Sequence, residues 1–196
     1  MAFLEEADQA ALLWLNGWVG HFPWLDSIVR LVVSDYLAPM LLSLAMLGMW
    51  FTGANIAARG SNQYGAMAGV IALLLANLTV QVMNQFIFRP RPFEALHVTL
   101  LFYQPVDSSF PANPAAVGFS VATAVWLWNR KVGTAMFALA ALYSLSRVYA
   151  GVCYPTDILG GAAIGVAAGL LAAFILRQFK PLPAFILRLA RAVYLA

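Results

Sequence analysis

Apolar residues run along this chain in long blocks instead of alternating with polar ones. Four blocks have the length and apolarity to cross a bilayer, which takes roughly 20 such residues. They are residues 36–58, 63–88, 132–145 (extending through Arg147 to 152) and 158–176. A fifth block, 115–128, is short and comes closer to the needed length if it starts at Asn113. The pattern predicts an all-α integral membrane bundle of about five transmembrane helices. Residues 1–34 are apolar but punctuated by acids, Gly and Pro, and read as one or two amphipathic helices in the interface. Residues 181–196 carry Arg188 and Arg191 on one face, which predicts a C-terminal amphipathic helix with snorkelling arginines. The chain then reads as one membrane domain over 1–196, with the bundle at 35–178.

Two finer patterns lie inside the blocks. Asn77, Gln81, Asn84 and Gln85 follow helical spacing and form one polar stripe. It serves interhelical hydrogen bonding, a pocket lining, or both. Gly161, Gly165 and Gly169 recur every four residues, the spacing of a close-packing face between helices.

Composition supports the membrane reading. The chain is 63% hydrophobic and 10% charged, whereas about a quarter of a soluble domain is charged. Membrane lipids are the expected partners, with other membrane subunits a further expectation, and nucleic acid is not expected. Cys153 is the sole cysteine, which excludes an intrachain disulfide and a paired-cysteine metal site. No metal or cofactor is expected. The first residues lack a basic segment, so no cleavable signal peptide is expected.

Charge gives the bundle a direction. With five spans, Arg59, Arg130, Lys131, Arg177, Lys180, Arg188 and Arg191 fall on one side without any acid. Arg30, Arg89, Arg91 and Arg147 fall on the other, with all the acids: Glu5, Glu6, Asp8, Asp26, Asp35, Glu94, Asp107 and Asp157. The excess of Lys and Arg marks the first side as cytoplasmic. The expected location is a bacterial inner membrane, C-terminus inside.

Three segments then meet at the outer mouth: "NQFIFRPRPF" (84–93), "SSFPANPAAVGFS" (108–120) and "SRVYAGVCYPTD" (146–157). Arginine is costly in a membrane protein unless paired or used, and guanidinium suits phosphate oxygens. Arg91 and Arg147 near a helix N-terminus would make an anion site. Asp157, four residues after Cys153, is placed to orient a group at 153.

This layout resembles the type 2 phosphatidic acid phosphatase and vanadium haloperoxidase superfamily, whose motifs are KxxxxxxRP, PSGH and SRxxxxxHxxxD on a helix bundle. Arg91 and Pro92 match the first motif, with Asn84 at the lysine position. Pro111 matches the second, with Ala112, Asn113 and Pro114 at the Ser, Gly and His positions. Ser146, Arg147 and Asp157 match the third, with Cys153 at the histidine position. The resemblance implies a lipid phosphate bound by Arg91, Arg147 and the residue at 84. It implies an attacking nucleophile at 153, oriented by Asp157, and a general acid at 114.

Pro114 has no proton to give, and a general acid is worth about 100- to 10,000-fold. "Asn113-Pro114" instead suits a helix start, Asn as N-cap and Pro at N1. Asn84 is neutral. Cys153 is a candidate nucleophile, since thiolates can form covalent intermediates, or a small residue filling the space of an imidazole. His97 lies beside the site as a loop residue or a substitute acid, and His21 as an interface anchor. The first expectation is that hydrolase activity is lost and the chain is a lipid-binding or structural subunit of a membrane assembly. The second is an active lipid phosphate phosphatase or phosphotransferase on a polyprenyl or glycerolipid phosphate, with Cys153 attacking. The third is a lipid-phosphate transporter or scramblase. With the lysine lost, Arg147 is expected to pair with Asp157.

Overall fold

The structure, a computed structural model, describes residues 2–179 together with Phe185 and Leu187. The predicted C-terminal helix at 181–196 otherwise lies outside the described residues. The helices are α1 (Ala2–Asn16), α2 (Pro23–Val32), α3 (Leu37–Phe51), α4 (Ile56–Asn84), α5 (Pro92–Ala95), α6 (Asn113–Trp126), α7 (Arg130–Tyr149) and α8 (Pro155–Gln178). No strand occurs among the described residues.

Local signals set the helix starts. Asn55 accepts from the Ala58 N–H and opens α4, and Asn129 does the same for α7 through Val132. Pro155 opens α8, and Asp157 reaches back to the Tyr154 N–H at 2.9 Å. The helix opened by Asn113 and Pro114 differs from expectation. Ala112, not Asn113, is the N-cap of α6, and no side chain caps it. The Ala112 N–H instead donates to the Asp157 carbonyl at 3.0 Å, so a tertiary contact does the work of a cap.

By length and apolarity alone, three to four of the about five expected spans stand out. α4, α7 and α8 are long and apolar enough to cross a membrane, and α2 with α3 forms a fourth candidate bent by 55°. α6 has 14 residues, about 21 Å at 1.5 Å per residue, short of a hydrocarbon core of about 30 Å. It is the inner helix, packed against α4, α7 and α8. Ala115, Ala116, Val121, Ala122, Ala124 and Val125 are all inaccessible to solvent. Most of its side chains are buried against the neighbouring helices.

Small residues let α8 approach this inner helix. A Cβ added at Gly161 would lie 2.4 Å from the Ala112 carbonyl oxygen, and one at Gly165 2.4 Å from that of Ala116. At Gly169 it would lie 2.7 Å from the Ser120 carbonyl oxygen. The glycine stripe is thus a backbone-to-backbone contact between α8 and α6. The polar stripe of α4 behaves differently from an interhelical bridge. Asn77 folds back onto its own Leu73 carbonyl at 3.1 Å, and Gln81 and Gln85 are exposed.

The chain reversals leave two distinct ends. The C-terminal ends of α4 and α7 meet the N-terminal ends of α6 and α8 at the mouth. The opposite end is tied by Asn129 to Asn62 at 2.9 Å and by Ser61 to the Trp128 carbonyl at 3.2 Å. There Arg130 lies over Trp126 and Arg177 over Trp128.

The glycine contact predicts an asymmetry. Gly165→Ala should lower stability by about 1–3 kcal/mol, the usual cost of overpacking, while Gly48→Ala on α3, with open space at its Cβ, should be close to neutral. Melting of the two detergent-solubilised variants checks this; equal melting would refute the close contact.

Candidate active site

The loop 85–91 leaves α4 and returns to α5, so that Arg89 and Arg91 face the turn between α7 and α8. Arg91 is buried and almost fully bonded. Its Nε donates to the Asp107 carbonyl at 3.0 Å, and its Nη2 pairs with the Asp107 carboxylate at 2.7 Å. Its Nη1 donates to the Val152 carbonyl at 2.7 Å and approaches the Cys153 Sγ at 3.6 Å. The predicted meeting of the first and third segments is therefore a direct contact between Arg91 and Cys153.

Cys153 is 2% exposed and packs in a cluster with Leu12, Ala112, Ala115, Val148 and Ile158. Burial pushes its thiol up to about 11. Arg91 pulls against that shift, Asp157 adds to it, and Arg147 opposes it more weakly. The resting group is a thiol touching a guanidinium.

Asp157 is fully buried, yet it bonds neither Cys153 nor Arg147. One oxygen takes Arg89; the other takes the Ser109 hydroxyl and the Tyr154 N–H. Arg147 pairs instead with Asp35, from the link between α2 and α3, and donates to the Tyr143 hydroxyl at 2.8 Å. Its guanidinium lies 4.4 Å from the Phe102 ring centre. The expected Arg147–Asp157 pair is corrected: an acid 112 residues away is nearer in space than one ten residues away in sequence.

Two buried polar atoms at this mouth have no hydrogen-bond partner: Asn84 Oδ1, at the lysine position, and Arg147 Nε. Ala112 and Pro114 hold the start of α6, and Asn113 is exposed. His97 and His21 are both exposed and neither belongs to the cluster around Cys153, although Leu96 and Val98, on either side of His97, pack against it. Among the described residues no cluster of His, Cys, Asp and Glu could hold a metal ion.

Sequence reasoning did not single out five residues that build the site: Arg89, Asp8, Thr156, Ser109 and Asp35. Arg89 pairs with Asp8 at 2.7 Å as well as with Asp157. Thr156 donates its N–H to Asp8 at 2.9 Å, Ser109 bonds Asp157, and Asp35 holds Arg147. The one signal for them was the gathering of every acid on the arginine side of the charge map.

The pairing seen here makes a testable contrast. In double-mutant cycles, Arg147→Leu with Asp35→Asn should couple by about 0.5–3 kcal/mol, as contacting groups do. Arg147→Leu with Asp157→Asn should be close to additive. Strong coupling in the second cycle, read from melting in detergent, would overturn the partner assignment.

A profile of the PAP2 superfamily matches residues 65–181. The undecaprenyl-diphosphatase BcrC of Bacillus subtilis (strain 168) is 28% identical over 179 residues, which is 91% of this chain and 89% of that protein. The crystal structure of Aquifex aeolicus LpxE aligns with a TM-score of 0.63 at 26% identity, covering 83% of this chain and 92% of that one. The first transmembrane PAP2 type phosphatidylglycerolphosphate phosphatase from Bacillus subtilis aligns with a TM-score of 0.65 at 21% identity, over 91% of this chain and 89% of its own. The expectation that hydrolase activity is lost is corrected by these relatives: a protein named as a diphosphatase is similar along nine-tenths of the chain. The match to more than half of the chain, the likeness of fold, and the meeting of Arg91, Cys153 and Asp157 at one mouth place this integral membrane protein in the PAP2 superfamily.

Proposed function

We propose that the chain is a lipid phosphate phosphatase that cleaves the diphosphate of a polyprenyl lipid, with Cys153 as nucleophile. The observation that carries this is the 3.6 Å contact between the Arg91 guanidinium and the Cys153 thiol, at the position where the family resemblance places the nucleophile. Arg147 Nε, buried and unpartnered, supplies a donor for a phosphate oxygen.

The missing acid selects the substrate. Expelling an alkoxide from a phosphate monoester needs a proton on the leaving oxygen, and Pro114 cannot give one. Expelling a lipid monophosphate from a diphosphate needs none, because the leaving group is already a stable anion. The diphosphatase named among the relatives fits the same class. In the step, the Cys153 thiol first gives its proton to solvent water; the thiolate Sγ then forms a bond to the terminal phosphorus, and the anhydride P–O bond breaks. The electron pair leaves on the lipid monophosphate. Water then cleaves the S–P bond, releasing inorganic phosphate and restoring the thiol. Arg91 and Arg147 stabilise charge on the phosphoryl oxygens.

The mouth faces the outer side of the membrane in this reading. Support comes from the basic residues of the opposite end, Arg59, Arg130, Lys131 and Arg177. The same reading puts the chain in a bacterial inner membrane with its C-terminus inside, supported by the bacterial relatives and the charge map.

Purified protein should release phosphate from a polyprenyl diphosphate faster than from the corresponding monophosphate, and Cys153→Ala should abolish the release. Absence of release from both would overturn the reading; unchanged release by Cys153→Ala would remove Cys153 as nucleophile. With the thiol at about 11, only the thiolate attacks, and its fraction rises about tenfold per pH unit below that value. The ratio kcat/KM should therefore climb from pH 7 to 9. A flat or falling profile would contradict a thiolate mechanism.

Orientation is checked by replacing Arg130 with Cys and labelling intact cells with an impermeant thiol reagent. No labelling is expected at 130. Ready labelling would invert the orientation; buried Cys153 serves as the control.

A further inference from the structure

Charge at the mouth does not favour an anion as it stands. Three guanidiniums, on Arg89, Arg91 and Arg147, are matched by four carboxylates, on Asp8, Asp35, Asp107 and Asp157. The position that would carry a lysine holds neutral Asn84. A substrate with several negative charges therefore needs one arginine to change partners.

Arg89 is the one placed to do so. Its side chain is 27% exposed, against 7% for Arg91 and 5% for Arg147. It falls at a variable position of the first motif and shares a loop with Arg91. Arg91 touches Cys153 and Arg89 touches Asp157, so both contact the turn that carries the nucleophile position. Its guanidinium rests 4.2 Å from the Tyr154 ring centre, which fixes its plane.

Asp8 sits on Arg89 much as a phosphate would. One carboxylate oxygen takes Arg89 Nη2 at 2.7 Å and the Thr156 hydroxyl, and the other takes the Thr156 N–H at 2.9 Å. A guanidinium, a hydroxyl and a backbone N–H in the first turn of a 24-residue helix are donors that suit a phosphoryl group. Asp8 comes from α1, which lies across the mouth and is held there by two further points. Leu12 is buried in the Cys153 cluster. Asn16 bonds the Tyr149 carbonyl at 2.8 Å and both backbone groups of Thr99.

We propose that Arg89 is a third phosphate-binding arginine of this chain, supplying the charge that Asn84 does not, and that Asp8 of α1 occupies its donors until the second phosphoryl group of a lipid diphosphate displaces it. The assignment rests on the diphosphatase reading and assigns the residues for the phosphoryl group that Cys153 does not attack. Asp8 is then a specificity residue: it admits a diphosphate, whose extra charge competes for Arg89, and disfavours a monophosphate, which gains nothing by displacing it.

The test uses the full-length protein in detergent, with inorganic diphosphate and inorganic phosphate as probes in melting-shift titrations. KM and kcat are measured in parallel on a polyprenyl diphosphate. Asp8→Asn keeps the shape and removes the charge, so it should bind inorganic diphosphate about tenfold tighter, equivalent to about 1.4 kcal/mol, and lower KM. Inorganic phosphate should gain less. Arg89→Gln should weaken diphosphate binding, and adding Asp8→Asn to it should restore nothing. Glu5→Gln removes a charge from the exposed face of the same helix; it should leave binding unchanged. Asp8→Ser is measured alongside, so that misfolding of one variant leaves the comparison intact. Equal tightening by Asp8→Asn and Glu5→Gln would mean a general field effect and overturn the proposal, as would unchanged binding in both Asp8 variants. Cys153-dependent turnover with no Asp8 effect would sink this proposal and leave the phosphatase reading standing. Tightening by Asp8→Asn in a protein that hydrolyses nothing would support the Arg89 assignment and overturn the phosphatase reading.

Discussion

An ionised guanidinium among packed helices has to be neutralised where it stands, because leaving it unpaired there costs several kcal/mol. Three such groups crowd one end of this bundle, and the mouth is organised around compensating them. The carboxylates come from four places: α1, the link between α2 and α3, the loop before α6, and the first turn of α8. Each pair therefore staples a peripheral segment to the mouth. Asp8 holds α1, Asp35 holds the α2–α3 link, Asp107 holds the loop that leads to Ser109, and Asp157 ties α8 to the loop after α4. Much of the position of the amphipathic N-terminal region follows from the arginines it has to meet.

The bundle itself was readable because its determinants are local and periodic. Apolar runs marked α3, α4, α7 and α8, and four-residue glycine spacing marked the face on which α8 meets α6. What periodicity could not tell was which apolar run touches lipid. α6 reads like a short span, and its small residues are mostly buried against α4, α7 and α8. The N-cap at Asn113 was misplaced for a related reason. A contact from the α8 carbonyl of Asp157 replaced the local cap, and nothing within the segment reports it.

At the site, residue types were legible and pairings were not. Arg91, Arg147, Asp157 and Cys153 do share one mouth, as motif order implied. Three of the four arginine–acid pairs join residues 68 to 112 apart in sequence; Arg91 and Asp107 are 16 apart. Sequence proximity pointed from Arg147 to Asp157, but the first turn of α8 turns that carboxylate to its own backbone and to Arg89. Arg147 is left to Asp35. The acids were visible as a one-sided excess in the charge map, which constrains the end of the bundle and not the partner.

The two largest departures from the family pattern do not weigh equally on chemistry. In the phosphatase proposed above the nucleophile stands at 153, and a thiol can serve as one, although burial holds most of it protonated. A general acid at 114 has to be present only if the leaving group is poor. Leaving-group quality belongs to the substrate, so a chain that loses the acid keeps turnover on anhydrides and sheds it on simple esters. The same substitution leaves the fold untouched, since Pro114 fits the first turn of α6 as well as any donor would. On the proposed reading, lack of the acid narrows what the site can cleave, and a neutral Asn84 at the lysine position leaves the extra charge to be bound by an arginine freed from its own carboxylate.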